Sequence, residues 1–249
     1  MNQIVLDIDL DYAMGESCYA TTAQGRRDLH ALNSVSIARF ERLLDTLKFW
    51  EGSDGLAFET HTVTAKVWES LILNGVLNPP FDVMHVDAHH DIYLAAKQNG
   101  PRPSIHCGNY PIPFLRSNLI DKFTWVAPRA CGWDGDHERF PKRVTRIAGA
   151  GLAGKVTRVL KRRSYAFVTV AFSPNYCGIK TDALIPSIME RLNPSEESMG
   201  IMHALARKHK HEFTRAAYYL EESPYFKTGD TDGMCSTLYL PRLVKRMRA

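Results

Sequence analysis

The chain has 249 residues, 45% of them hydrophobic, enough for one sizeable core. Its 31 basic against 27 acidic residues leave a net charge of +4, too mild for a dedicated nucleic-acid binder. No run of about 18 apolar residues predicts a membrane span, and the N-terminus lacks the basic start of a signal peptide.

In chain order, QIVLDI (3–8) reads as a strand that runs into Asp7, Asp9 and Asp11. Residues 29–49 place Leu32, Ile37, Phe40, Leu43, Leu44 and Leu47 at helical spacing. GLAFE (55–59) is a short strand, and 62–76 a helix closed by Asn74-Gly75 and stopped by Pro79-Pro80. FDVMHVD (81–87), DKFTWVAP (121–128) and SYAFVTVAF (164–172) read as further strands, with helical stretches at 181–192 and 198–221. GAGLAG (149–154) lacks the Lys-Ser/Thr of a phosphate loop and reads as a surface turn. The basic clusters at 155–163 and 242–249 read as solvated faces. Five scattered cysteines with no CxxC pair fit a reducing cytoplasm.

Strands that alternate with helices predict one α/β domain over 1–249, a three-layer α/β/α arrangement around a mainly parallel sheet. Ligands of such a sheet gather outside the carboxyl ends of its strands. Three of the predicted strands end in acids or imidazoles there: Asp7, Asp9 and Asp11; Glu59 and His61; Asp87, His89, His90 and Asp91. In an extended strand residues two apart share a face, which pairs Asp9 with Asp11 and aligns Asp87, His89 and Asp91. His85 and His90 are expected to alternate with these, so that one of them faces away or lies outside the first ring of ligands. Clustered carboxylates in a partly dry site need a compensating cation. Oxygen-rich donors with one or two imidazoles suit a pair of Mn²⁺ ions, which together hold and acidify a water for hydrolysis.

These residues resemble the arginase and deacetylase superfamily. DAHHD (87–91) is similar to its D-A-H-x-D signature, DIDLDY (7–12) to its D-x-D strand, and ETHTV (59–63) to the segment that supplies a histidine ligand. The D-x-D strand comes first here, an order that resembles a small arginase-related family including peptide arginases. The resemblance implies hydrolysis of arginine residues within a ribosomal precursor peptide, leaving ornithine and releasing urea. It implies that His61, Asp87 and Asp91 hold one metal, that Asp87 and Asp9 bridge, and that His89 and Asp11 complete the second, with Asp7 standing behind them. His106, on the loop after the signature, is the implied proton donor beside Asp91 in the catalytic set. The chain departs from the family at VAFSP (170–174), which has no acid for the guanidinium. Glu59, Asp7, Asn109, Asp134 and Asp136 are the remaining candidates for substrate contact. A single-zinc deacetylase, a small-molecule ureohydrolase and a silent peptide-binding module are the competing expectations. Homo-oligomerisation is left open.

Overall fold

The computed structural model describes residues 1–19, 34–58, 61–93, 107–128, 140–148, 152–173, 177 and 179–208. Six strands form one sheet: β1 (Ile4–Asp9), β2 (Gly55–Phe58), β3 (Phe81–Val86), β4 (Ile120–Ala127), β5 (Val144–Ala148) and β6 (Phe167–Ala171). Their order is β2-β6-β1-β3-β4-β5, and every neighbouring pair is parallel. The helices are α1 (Ser34–Thr46), α2 (Thr62–Leu73), α3 (Ile112–Arg116), α4 (Leu152–Leu160), α5 (Ile185–Arg191) and α6 (Glu196–Lys208). Short 3-10 segments cover Leu10–Tyr19 and Ile179–Leu184.

The helices divide between the two faces. On one, Val63, Val67, Trp68 and Leu71 of α2 pack with Phe114 and Leu115 of α3 and with Ile201 and Met202 of α6. On the other, Phe40, Leu43 and Leu44 of α1 pack with Val156 and Leu160 of α4 and with Ile185 and Ile188 of α5. A three-layer α/β/α fold results, and the near-continuous apolar strands are what double-sided burial requires. Among the described residues no helix is long and apolar enough to cross a membrane.

Strand parity decides what each face receives. Ile4, Leu6 and Ile8 of β1 feed the α1 side, while Val5 joins the α2 side. Asp7 and Asp9 share the parity of Val5 and therefore enter the α2 side. The register then sets Asp7 between Thr169 of β6 and His85 of β3. β1 leads into α1 on one face and β3 toward α3 on the other, so their adjacent carboxyl ends flank a crevice where crossovers diverge.

Several expectations need correcting. β5 and α3 were not expected: VTRIA mixes charge into a short edge strand, and α3 is a single turn and a half in a Pro-flanked loop. Leu152, Ala153 and Gly154 of the expected glycine-rich turn open α4 instead. The helix expected at 181–192 splits into a 3-10 turn and α5, where Pro186 takes the first helical turn. The portions expected at 29–33 and 209–221, and the basic cluster at 242–249, lie outside the described residues.

Candidate metal centre

The centre is built where β1 and β3 end, on the α2 side of the sheet. Asp7 is sealed from solvent, and side chains surround its carboxylate. Thr169 Oγ1 donates to its Oδ1 at 2.5 Å, Tyr110 donates its hydroxyl to Oδ2, and His85 Nδ1 stands 2.9 Å from Oδ2. Burial by itself would raise the Asp7 carboxyl, but His61 and then His85 hold it well below the usual carboxylate range. An ionised Asp7 can only accept, so His85 Nδ1 donates to it. Nε2 of His85 is aimed at Asp87 Oδ2, 3.3 Å away, and at Asp91 Oδ2, 3.9 Å away.

His61, just before α2, is completely buried and its ring stacks on Tyr110 at 4.9 Å. Nε2 faces Asp7 Oδ2 at 3.4 Å. Nδ1 faces Asp9, Asp87 and Asp91 together, at 3.2, 3.4 and 3.2 Å. On the outer side, His89 Nδ1 lies 2.9 Å from Asp11 Oδ2 and 3.4 Å from Asp87 Oδ1. Backbone amides orient the acids: Asp11 N–H donates to Asp9 Oδ1, Ala88 N–H to Asp11 Oδ1 and His89 N–H to Asp87 Oδ1. Ser173, two residues past β6 with a left-handed φ of 43°, donates to Asp9 Oδ2 at 2.5 Å.

The acids converge by a different local route from the one expected. Only Asp7 and Asp9 share a strand face, because β1 stops at Asp9 and Asp11 belongs to the 3-10 segment. Likewise β3 stops at Val86, and Asp87, His89 and Asp91 lie on the following bend, where Asp91 takes a left-handed φ of 51°. His85, expected only as an alternating or outer residue, has the same parity as Asp87 and points into the centre. His90 turns away: its Nδ1 accepts from Ile92 N–H, and its ring meets Trp125 edge-on. Asn109 is buried in the turn before α3, its carbonyl accepting from Ile112 N–H. Glu59, His106, Asp134 and Asp136 lie outside the described residues. Tyr110, Thr169 and Ser173 carry no motif; only the register and the return of the chain through 107–110 bring them to the acids.

Comparison of the chain with family models, with curated proteins and with solved structures found no match.

The donors themselves test whether a cation fits. Buried His61 Nδ1, His61 Nε2 and His85 Nε2 make no hydrogen bond, although carboxylate oxygens surround them. Burial pushes the Asp87 carboxyl well up, and the charges of Asp11, Asp91 and Asp9 push it further. Asp9 is raised by burial and by Asp11. Burial would lower His61, yet the carboxylates, Asp7 foremost, hold it well above its ordinary value. Protons are thus pulled into a nest of like charges, in the position a divalent ion neutralises. Four overlapping groups place one ligand atom from each member within 4.8 Å of the others: Asp7/His61/His85, Asp9/His61/Asp87, Asp11/Asp87/His89 and His85/Asp87/Asp91. A buried cluster able to hold metal is therefore present, and its donors are carboxylate oxygens and imidazoles.

Proposed function

We propose that the protein is a binuclear manganese hydrolase of the arginase kind, converting arginine residues of a precursor peptide to ornithine with release of urea. The observation that carries the reading is the posture of Asp87. Its Oδ2 faces His61 and its Oδ1 faces His89, so one carboxylate serves two donor groups on opposite sides. That is how a bridging ligand between two ions is placed. Asp9, His61 and Asp91 would hold the inner ion with Asp87; Asp11 and His89 would complete the outer one. The predominance of carboxylate oxygens over imidazoles in these groups favours a hard ion such as Mn²⁺. The guanidino and peptide parts of the reading rest on the resemblance of DAHHD and DIDLDY and on their permuted order.

Bound ions would supply an acidified water and charge neutralisation. The chain's own residues do the rest. Asp7, anchored by Thr169 and Tyr110, holds the His85 ring in one orientation and braces His61 from behind. The amides of residues 11, 88 and 89 hold the carboxylates of Asp9, Asp11 and Asp87 in place before any ligand arrives. Burial of Asp9, Asp11, Asp87 and Asp91 strengthens each of these electrostatic contacts.

The test is mass spectrometry of an arginine-containing peptide incubated with the Mn²⁺-loaded chain. A loss of about 42 Da per arginine is expected for guanidine-to-amine hydrolysis at a binuclear centre. Asp87→Ala should abolish it. Bound metal with no mass shift on arginine peptides, free arginine or agmatine would sink the guanidino reading, and release of acetate from acetyl-lysine peptides would replace it with deacetylation.

A further inference from the structure

A second feature lies at the opposite end of the sheet. Between the C-terminal turns of α4 and the first residues of β1, β3 and β4 there is a cavity of about 430 Å³. It opens on the α1/α4 face near Asp82, five residues and about 16 Å of extended strand before Asp87. Four cations line it: Lys122, Arg158, Lys161 and Arg163. Among the described residues the only carboxylate in the lining is Asp82, and it is already engaged by Arg163 at 3.2 Å. Lys122, Arg158 and Lys161 have no ion-pair or hydrogen-bond partner for their charged groups among the described residues. Two hydroxyls, Thr124 and Thr145, stand 3.5 Å apart in the same wall. Exposed Met1 and half-buried Val159 add apolar surface, with Ile4 and Met84 buried beneath them.

Three unpaired cations around one concavity repel one another, and an exposed edge has no structural need to gather them there. Guanidinium and ammonium donors beside hydroxyls match the several oxygens of a phosphate. The volume lies within the range of small-molecule sites, and the apolar surface is there for such a ligand's body to cover. We propose that this cavity binds a phosphorylated small molecule of about mononucleotide size, its phosphate on Arg158, Lys161 and Lys122 and its apolar part over Met1 and Val159. The site is independent of the metal centre and stands whether or not the chain hydrolyses guanidino groups.

Calorimetric titration of the full chain tests it, with AMP, inorganic phosphate and a hexaglutamate peptide as probes. AMP should bind saturably and about tenfold more tightly than phosphate, because only AMP covers the apolar surface. The Arg158→Glu/Lys161→Glu pair should weaken AMP about tenfold or more, and Lys122→Glu should weaken it in the same direction. All three positions are exposed, so thermal melting should show the variants folded. His89→Ala, which disrupts the outer donor group of the metal centre, should leave AMP binding unchanged. No saturable AMP binding, equal affinity for AMP and phosphate, tighter binding of hexaglutamate, insensitivity to the charge reversals or loss in His89→Ala would each overturn the proposal.

Discussion

Tyr110 shows how much the centre depends on residues outside its donor groups. Its hydroxyl donates to Asp7, its ring lies flat on His61, and burial together with the Asp7 charge pushes its own ionisation well above the ordinary phenol range. Tyr110→Phe keeps the ring and removes the donor. The buried carboxylate then loses one of its hydrogen bonds, which should cost about 1–3 kcal/mol of stability in equilibrium unfolding. Because Asp7 orients His85 and backs His61, metal affinity should fall about 10- to 100-fold in a Mn²⁺ titration. Loss of stability with unchanged metal affinity would show that Tyr110 serves packing alone. At this scale the sequence was legible where the donors repeat in a tight spacing, as in DAHHD. His85 could have been found by counting parity from Asp87, since 85, 87, 89 and 91 are all odd. Thr169 and Tyr110 could not, because they meet Asp7 only through β6 pairing and a turn some hundred residues away.

Most strands and the long amphipathic helices were visible as runs and periodicities, because each has an apolar face that burial demands. The missed elements are β5 at the sheet edge, α3, held by Pro111, Pro113 and the Phe114–Trp68 contact, and α4, whose Leu152, Val156 and Leu160 recur at helical spacing behind the glycines of GAGLAG. Gly55 marks a further constraint that propensity alone hides. A Cβ there would stand 2.3 Å from the carbonyl oxygen of Val168 and 2.8 Å from its Cβ, so β2 and β6 can pair this closely only with glycine. Gly55→Ala should therefore destabilise by about 1–3 kcal/mol through overpacking, read as a lower denaturant midpoint. Gly154→Ala, where a Cβ meets nothing and the residue is helical, should be neutral or stabilising by up to about 1 kcal/mol. Equal effects at the two positions would contradict the close β2–β6 approach. Tyr165 ties the entry to β6 to the end of α1 by donating to the Leu47 carbonyl, and burial pushes its phenol far up. A folded pKa above the unfolded one gives stability that is complete below about pH 10 and declines above it. Tyr165→Phe should cost about 1 kcal/mol at neutral pH and should flatten part of the decline seen by alkaline unfolding.

For the whole molecule, one end of the sheet concentrates buried acid and the opposite end gathers unpaired base. The acidic end sets the linkage between folding, protons and metal. In the metal-free chain Asp87 and His61 both bind protons more tightly folded than unfolded. For each, the stability gained is complete below the unfolded pKa and is lost as pH rises through the folded value. The unfolded values are about 3.9 for the aspartate and about 6.5 for the histidine, so the metal-free fold should weaken steadily from mildly acidic pH toward alkaline pH. A divalent ion has the opposite dependence, because it displaces those same protons and binds best where they are scarce. At a free concentration of about 100 times the dissociation constant it should add about 2.7 kcal/mol. Thermal melts at pH 6, 7 and 8, with Mn²⁺ and with chelator, should thus show a gap in melting temperature that widens with pH. Asp87→Ala should close that gap at every pH, since it removes the carboxylate shared by both donor groups. A gap that stays constant or narrows toward pH 8 would mean that the buried acids hold their charge by some means other than metal.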